Sequence, residues 1–426
     1  MKNKTIEMAK GLLAPALVVH TDIVVKKAGG IYVEGTDGKR YMDFSSGLAT
    51  VNIGHNHPSV VKAAKEQTER FIHSGCIFRY DSIVELALRL KKKTPKGLDM
   101  FFFSNSGAEA IEGAIKLCRF VTKRPAMIAF TGGFHGRTFG ALSLTSSNVK
   151  YRKRYHPLLP SVYHVPYPYC YRCPVGQRPE SCSIECFGIL ESALEHFVSP
   201  EEVACVVMEP VLGEGGYVVP PLRYVKKLRE LTKRYGILLV ADEVQSGFGR
   251  TGKWFASEHF GVIPDVMAVG KGIASGFPLS AVIGRKDLMT KWPPGAHGTT
   301  FGGNPVSCAA AIATIDVMEK QGLPENAKKL GAYAMKRLRL LQKKYPSIGD
   351  VRGLGLMIGI EFVKKDKKPD AALLKKIMRA CEKKGLIVIE CGLHKNVLRF
   401  MPPLTVTMRE MDAALGIFEK ALKSET

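Results

Sequence analysis

Lys271 stands between Gly270 and Gly272, just after the apolar run Val266–Val269. The glycines give it no side-chain neighbours. Such a lysine can be an ordinary solvated loop cation, and the chain carries 62 Lys and Arg to supply one. It can also be an amine presented to a carbonyl for Schiff-base chemistry. Other residues in the chain have to decide between the two.

Asp242 closes the apolar run in "ILLVADEVQSGFGRTG". A carboxylate at the end of a buried strand is costly to desolvate unless something cationic faces it, and a protonated pyridine nitrogen would serve. A structural or helix-capping aspartate is the ordinary alternative. "FFFSNSGAEA" carries a strand into a glycine turn and a helix, so the N–H groups of Ser106, Gly107 and Ala108 can receive a phosphate. Read alone, it is a Ser106 cap with Glu109 in the first turn. In "GGFHGRT", Phe134 lies in a glycine-flanked loop where an aromatic can cover something flat, and Arg137 offers a fork for a carboxylate. A core aromatic and a surface arginine are the ordinary readings. "MEPVLGEGG" adds Glu209 and Glu214, and "HGTTFGGNP" adds Thr299 and Thr300 before a helix. Taken together, a phosphate cradle, a stacking aromatic, a strand-end aspartate and a lysine describe one site. It suits a flat, anionic, nitrogen-containing ring joined to Lys271, which is the description of pyridoxal 5′-phosphate.

The elements that must position these residues are legible too. From about residue 100, nearly all-apolar runs alternate with helical patterns: "DMFFFSNSG", "AMIAFTGG", "VYHVPY", "VACVVMEP", "ILLVADEV", "DVMAVGKG" and "LSAVIG". Continuous apolar strands are covered on both faces, so the spacing predicts an α/β fold with a mostly parallel seven-stranded sheet. Helices are expected at 108–120, 222–235 and 305–319, and the polar residues gather after the strand ends, where open α/β sheets bind ligands. After about residue 321 a smaller α+β pattern follows. It has helices at 326–344, 370–384 and 408–423 and strands in "VRGLGLMIGIEF", "GLIVIECG" and "NVLRFMPPL". The segment "GGIYVEGTDGKRYMDFSSG" reads as a hairpin turning at 35–38. The expected division is 1–54 as an N-terminal segment packing on the small domain, 55–320 as the large cofactor-binding domain and 321–426 as the small domain.

The sequence resembles the class III aminotransferases, pyridoxal-phosphate enzymes of fold type I. The motifs that carry the resemblance are "NSGAEA", "FHGRT", "EPVLGEGG", "LVADEVQSGFGRTG", the lysine segment and "TFGGNP". Within the family it is similar to 4-aminobutyrate aminotransferases, notably in "IGDVRGLGLMIGIE" and "GLIVIECG". The resemblance implies that Lys271 forms the Schiff base and shuttles the proton while Asp242 pairs with the ring nitrogen. Gln245 would bond the ring hydroxyl, and Phe134 and Val244 would sandwich the ring. Ser106, Gly107 and Ala108 would hold the phosphate, helped by Thr300 from the other subunit of a homodimer with active sites at the interface. Arg137 would take the donor's carboxylate, Glu214 would pair with and release Arg399, and Leu48 would line the substrate methylenes. The implied reaction moves the amino group of 4-aminobutyrate, or a similar ω-amino acid, to 2-oxoglutarate by a ping-pong mechanism. A racemase or epimerase of the same fold is the alternative, as is an ornithine or lysine ω-aminotransferase.

Four of the ten cysteines depart from the bacterial 4-aminobutyrate pattern: Cys170, Cys173, Cys182 and Cys186, in "CYRCPVGQRPESCSIEC". Such spacing is compatible with zinc or an iron–sulfur cluster, and equally with disulfides or free thiols. The other six, Cys76, Cys118, Cys205, Cys308, Cys381 and Cys391, sit in apolar or helical contexts and are expected to be buried free thiols. The formal net charge of +23 raises nucleic-acid binding. The basic residues are dispersed, at 91–93, 150–154, 226–233 and 364–368, as solvated faces are, which argues against it. No apolar run reaches the length of a membrane span and no signal peptide is apparent, so a cytoplasmic enzyme is expected.

Overall fold

The structure, a computed structural model, describes residues 2–426. Three sheets organise it. Strands β1 (Val25–Gly29), β2 (Tyr32–Gly35) and β3 (Arg40–Asp43) form an antiparallel meander. The large sheet takes β4 (Leu98–Ser104), β5 (Ala126–Phe130), β6 (Val162–Val165), β7 (Val203–Met208), β8 (Leu238–Asp242), β9 (Val266–Val269) and β10 (Ser280–Arg285). Five more strands follow: β11 (Ile348–Leu354), β12 (Met357–Phe362), β13 (Leu386–Ile387), β14 (Ile389–Cys391) and β15 (Val397–Phe400).

The large sheet has the order β4-β10-β9-β8-β7-β5-β6. β10 runs antiparallel to both its neighbours, while the β9-β8-β7-β5-β6 pairings are parallel. All seven apolar runs of the sequence are strands of this sheet. Their alternate residues serve opposite faces. On β5, Met127 and Ala129 pack with Ile111 and Ile115 of the helix Gly107–Thr122, whereas Ile128 and Phe130 pack with Leu190 of Phe187–His196 and Leu228 of Leu222–Tyr235. Helix Gly107–Thr122 can lie this close because Gly113 has no side chain: a Cβ there would sit 2.8 Å from Val282.

β11, β12, β15 and β14 make an antiparallel sheet, against which the helices Leu323–Lys344, Ala371–Lys383 and Met408–Glu425 contribute to one large apolar cluster. Two expectations need correction here. "VRGLGLMIGIEF" is not one strand but the hairpin β11-β12, turned at Gly355 with φ of +55°. A Cβ on Gly355 would lie 2.4 Å from the Thr251 carbonyl carbon, so the turn packs where only glycine fits. "GLIVIECG" is likewise two strands in two sheets. β13 joins β3 in parallel, and β14 joins β15 antiparallel. Uniform apolarity hides a change of pairing partner. Among the described residues no helix is long and apolar enough to cross a membrane.

Candidate active site

The chemistry-bearing residues follow the carboxyl ends of β4, β5, β7, β8 and β9. Ser106 accepts a hydrogen bond from the Glu109 N–H at 3.3 Å and caps the helix Gly107–Thr122, while the Glu109 carboxylate accepts from the Asn105 N–H at 2.9 Å. The cap ties down the strand-to-helix turn and leaves the first-turn N–H groups facing outward. Across the turn lies Val244: a Cβ on Gly107 would be 2.7 Å from its Cγ1. Glycine is required for that approach, and a Cβ on Gly270 would lie 3.4 Å from the same methyl. Lys271 follows at once, with φ of +42°, so the turn at Gly107, Val244 and the lysine segment lie together.

Burial lowers the Lys271 pKa, against the pull of Asp242 and Glu209. The amine is thereby moved towards the neutral, nucleophilic form. Asp242 is 4% exposed and accepts from the Val244 N–H at 3.1 Å. His135 Nδ1 lies 2.7 Å from its other oxygen, Oδ2. Burial pushes the His135 pKa down, but the bond and charge of Asp242 outweigh it and the net shift is upward. Glu209 is also buried. It accepts from the Phe134 N–H at 2.9 Å and the Gly213 N–H at 2.8 Å, and so ties the loop carrying Phe134 and Arg137 to the loop carrying Glu214. Burial, with Asp242 nearby, raises its pKa to about 7 despite His135.

Further out, Glu214 pairs with Arg399 on β15. Desolvation lowers the guanidinium's pKa, but Glu214 more than restores it. Tyr151 Oη donates to Glu214 at 3.2 Å, and the Arg137 guanidinium lies 3.9 Å from the Tyr151 ring centroid. Phe134 meets Tyr151 edge-on, with centroids 5.6 Å apart.

Lys271, Asp242, Val244, Gly107, Phe134, Gln245, Glu214, Arg399 and Arg137 thus converge by shared contacts or loops. Ala108 lies in the same first turn, its Cβ 2.6 Å from the position a Gly136 Cβ would take. Leu48 is 47% exposed, on a segment whose Ser46 hydroxyl donates to the Met401 carbonyl two residues beyond Arg399. Thr300 is exposed, with its carbonyl oxygen near Gly75, and its neighbour Thr299 accepts a hydrogen bond from the Asn105 side chain at 3.1 Å. His135 and Tyr151 were not singled out by sequence. The "FHG" motif signalled the first; nothing local signalled the second.

The residues fit a flat anionic ring. The Gln245 Oε1 is buried without a hydrogen-bond partner, the state of a group that awaits a ligand. Gly107 and Gly270 keep the slot beside Val244 open.

The four-cysteine segment is less organised. Cys170, Cys173, Cys182 and Cys186 line one small cavity, and all ten cysteines are free thiols. Among the described residues no group of three or more His, Cys, Asp or Glu is arranged to hold a metal ion, so the zinc or iron–sulfur expectation gains no support. Burial, with the other three sulfurs nearby, pushes the Cys186 thiol up to about 11. Cys76 is exposed, contrary to expectation; the other five scattered cysteines are buried.

Comparison with known proteins agrees with this geometry. The family model for aminotransferase class-III matches residues 14–422. A probable 4-aminobutyrate aminotransferase of Bacillus subtilis (strain 168) is 40% identical over 402 residues, covering 93% of this chain and 92% of its own. A leucine/methionine racemase of Thermococcus litoralis is 42% identical over 410 residues, covering 95% and 91%. Among solved structures, an amine transaminase from an uncultivated Pseudomonas species in its pyridoxal-phosphate-bound form matches with a TM-score of 0.89 at 31% identity, covering 97% of this chain and 98% of that one. The fold is the type I fold of pyridoxal-phosphate enzymes, and pyridoxal 5′-phosphate is the cofactor expected of the family. This chain belongs to the class III aminotransferases.

Proposed function

We propose that this protein is an ω-aminotransferase that moves the terminal amino group of 4-aminobutyrate, or a similar ω-amino acid, to 2-oxoglutarate. The observation that carries the reading is the ion pair between Glu214 and Arg399. 4-Aminobutyrate has one carboxylate and glutamate has two. A single-carboxylate donor needs the second arginine neutralised, and a dicarboxylate needs it exposed, or a buried charge is left unpaired. A hinged carboxylate over an arginine meets both needs. Similarity to 4-aminobutyrate aminotransferases supports the same donor.

Pyridoxal phosphate, when bound, supplies the electron sink and carries the amino group between the two substrates. The chain's own residues do the rest. Ser106, Gly107 and Ala108 would hold the phosphate. Phe134 and Val244 would hold the ring faces, and Gln245 would take the ring hydroxyl. Asp242, backed by His135, would set its carboxylate against the ring nitrogen. Lys271, as a neutral amine, takes a proton from the substrate carbon and returns it. Arg137 binds the donor's carboxylate, and Leu48 lines its methylenes. The working form in this reading is a cytoplasmic homodimer in which Thr300 reaches the partner's phosphate. Residues 55–320 serve the cofactor as the large domain, and 1–54 pack on the small domain, 321–426.

A second reading is a racemase that returns the proton to the α-carbon, favoured by the 42% identity to a leucine/methionine racemase. One assay separates them. With pyridoxal phosphate and 2-oxoglutarate, 4-aminobutyrate should yield glutamate and succinate semialdehyde in equal amounts, and no more than one semialdehyde per active site without the acceptor. Loss of optical activity in an α-amino acid with no acceptor present, and no glutamate from any ω-amine, would overturn the first reading in favour of the second.

A further inference from the structure

Tyr151 touches every group that this reading assigns to carboxylate handling except Arg399. It is 9% exposed, so its hydroxyl needs a protein partner, and that partner is Glu214 at 3.2 Å. Its ring face carries the Arg137 guanidinium at 3.9 Å, and its edge meets Phe134. Lys150, also on the ring at 4.7 Å, adds a second cation. A ring contacted by two cations and by Phe134, with its hydroxyl on a carboxylate, is held in place. Glu214 is held by two groups: Arg399 through the ion pair and Tyr151 through the hydroxyl. The main chain of Glu214 is fixed separately, its carbonyl accepting from the Gly392 N–H at 2.8 Å. Only the side chain is free to leave Arg399, and leaving costs it the Tyr151 bond as well.

We infer that Tyr151 is a positioning residue that couples the two carboxylate sites: its hydroxyl tethers Glu214 over Arg399, favouring single-carboxylate donors, and its ring seats Arg137. The inference rests on the ω-aminotransferase reading of the Glu214–Arg399 pair. A hydrogen bond to a carboxylate is a charge-assisted one, so its loss should show as a measurable change in how readily Arg399 is uncovered.

The test uses the protein loaded with pyridoxal phosphate and two unreactive probes, glutarate with two carboxylates and butanoate with one, by calorimetric titration. Tyr151→Phe removes the hydroxyl and keeps the ring. Glutarate should bind about fivefold more tightly, while butanoate stays within about twofold. Glu214→Ala should move glutarate further in the same direction. Adding Tyr151→Phe to Glu214→Ala should change nothing more, because the tether then has nothing to hold. Tyr151→Leu, which loses the ring too, should in addition weaken butanoate by about threefold, the scale of a lost cation–π contact. A glutarate-to-butanoate ratio unchanged in Tyr151→Phe but shifted in Glu214→Ala would overturn the tether and leave the reading of the pair intact. A ratio unchanged in Glu214→Ala as well would overturn both. Equal weakening of both probes in Tyr151→Phe would make Tyr151 merely structural.

Discussion

At the Asp242 end of the site the charged groups are sealed; at the Arg399 end they are graded towards solvent. Asp242, His135 and Glu209 are each 5% exposed or less and are fixed by hydrogen bonds to strand ends and loop N–H groups. Arg399 is 6% exposed, but the Glu214 side chain that covers it is 26% exposed and Arg137 lies open. Buried, fully bonded groups cannot rearrange without large cost, which suits the constant charge proposed for Asp242. A carboxylate that is 26% exposed can turn towards water more readily than the sealed groups can, which suits the switching proposed for Glu214. The comparison predicts that substitutions at the sealed end abolish the chemistry for every donor. Those at the open end should change which donor is preferred.

The largest effect is expected at Lys271. Lys271→Ala should retain the fold and lose turnover to below about one ten-thousandth of wild type, because covalent link and proton shuttle vanish together. Near-normal steady-state activity in the folded variant would end the mechanistic reading.

Asp242→Asn comes next. The amide cannot supply the negative charge, and it breaks the ionic character of the 2.7 Å contact with His135. Proton abstraction should slow by about a thousandfold for all donors alike, with the cofactor still bound. A slowing confined to one donor, or a rate within tenfold of wild type, would break the assignment of the sealed end.

Glu214→Ala tests the open end. It strips the partner from Arg399, whose pKa is held up by that carboxylate. The ratio of first half-reaction rates for glutamate against 4-aminobutyrate should move towards glutamate by about 2–3 kcal/mol, less what water recovers. A constant ratio would mean that the pair only holds β15 to the loop.

The sealed end was the more legible in sequence. Asp242 and Lys271 close apolar runs, and strand ends in an α/β sheet announce themselves by an abrupt polar residue. His135 was only half visible: it sits in a recognisable motif, but its partner is 107 residues away and depends on β5 and β8 flanking β7. Tyr151 was not legible at all. It lies in the basic stretch "VKYRKRY", where charge dominates and nothing marks one aromatic as turned inward. The split of "GLIVIECG" between two sheets was hidden for a related reason, since pairing partners are a tertiary choice. The cysteine segment shows the reverse: a conspicuous spacing that the fold gathers around one cavity without arranging it for coordination.

The smallest effect sharpens the sealed end through pH. Glu209 titrates from an ordinary value of 4.5 when unfolded to about 7 in the fold, because burial penalises its charge. Between those values the folded state keeps a proton that the unfolded chain has released. Bound protons are then more numerous in the native state, so stability falls as pH rises through this window, by at most about 1.4 kcal/mol per pH unit. The stability is fully present below 4.5 and the loss is complete above about 7. His135 has a raised pKa of its own and adds a loss of the same sign as pH rises through its folded value, which is why a single variant must isolate Glu209. Glu209→Gln does so. The amide cannot accept from both the Phe134 and Gly213 N–H groups, so the variant should be less stable at pH 4.5 by about 1 kcal/mol. Its slope between pH 4.5 and 7 should nevertheless be shallower than that of wild type. Urea unfolding midpoints at half-unit pH steps measure both. Parallel curves would show that Glu209 is ionised throughout, and the sealed end would then hold two buried carboxylates against one histidine and one lysine, with no proton to spare.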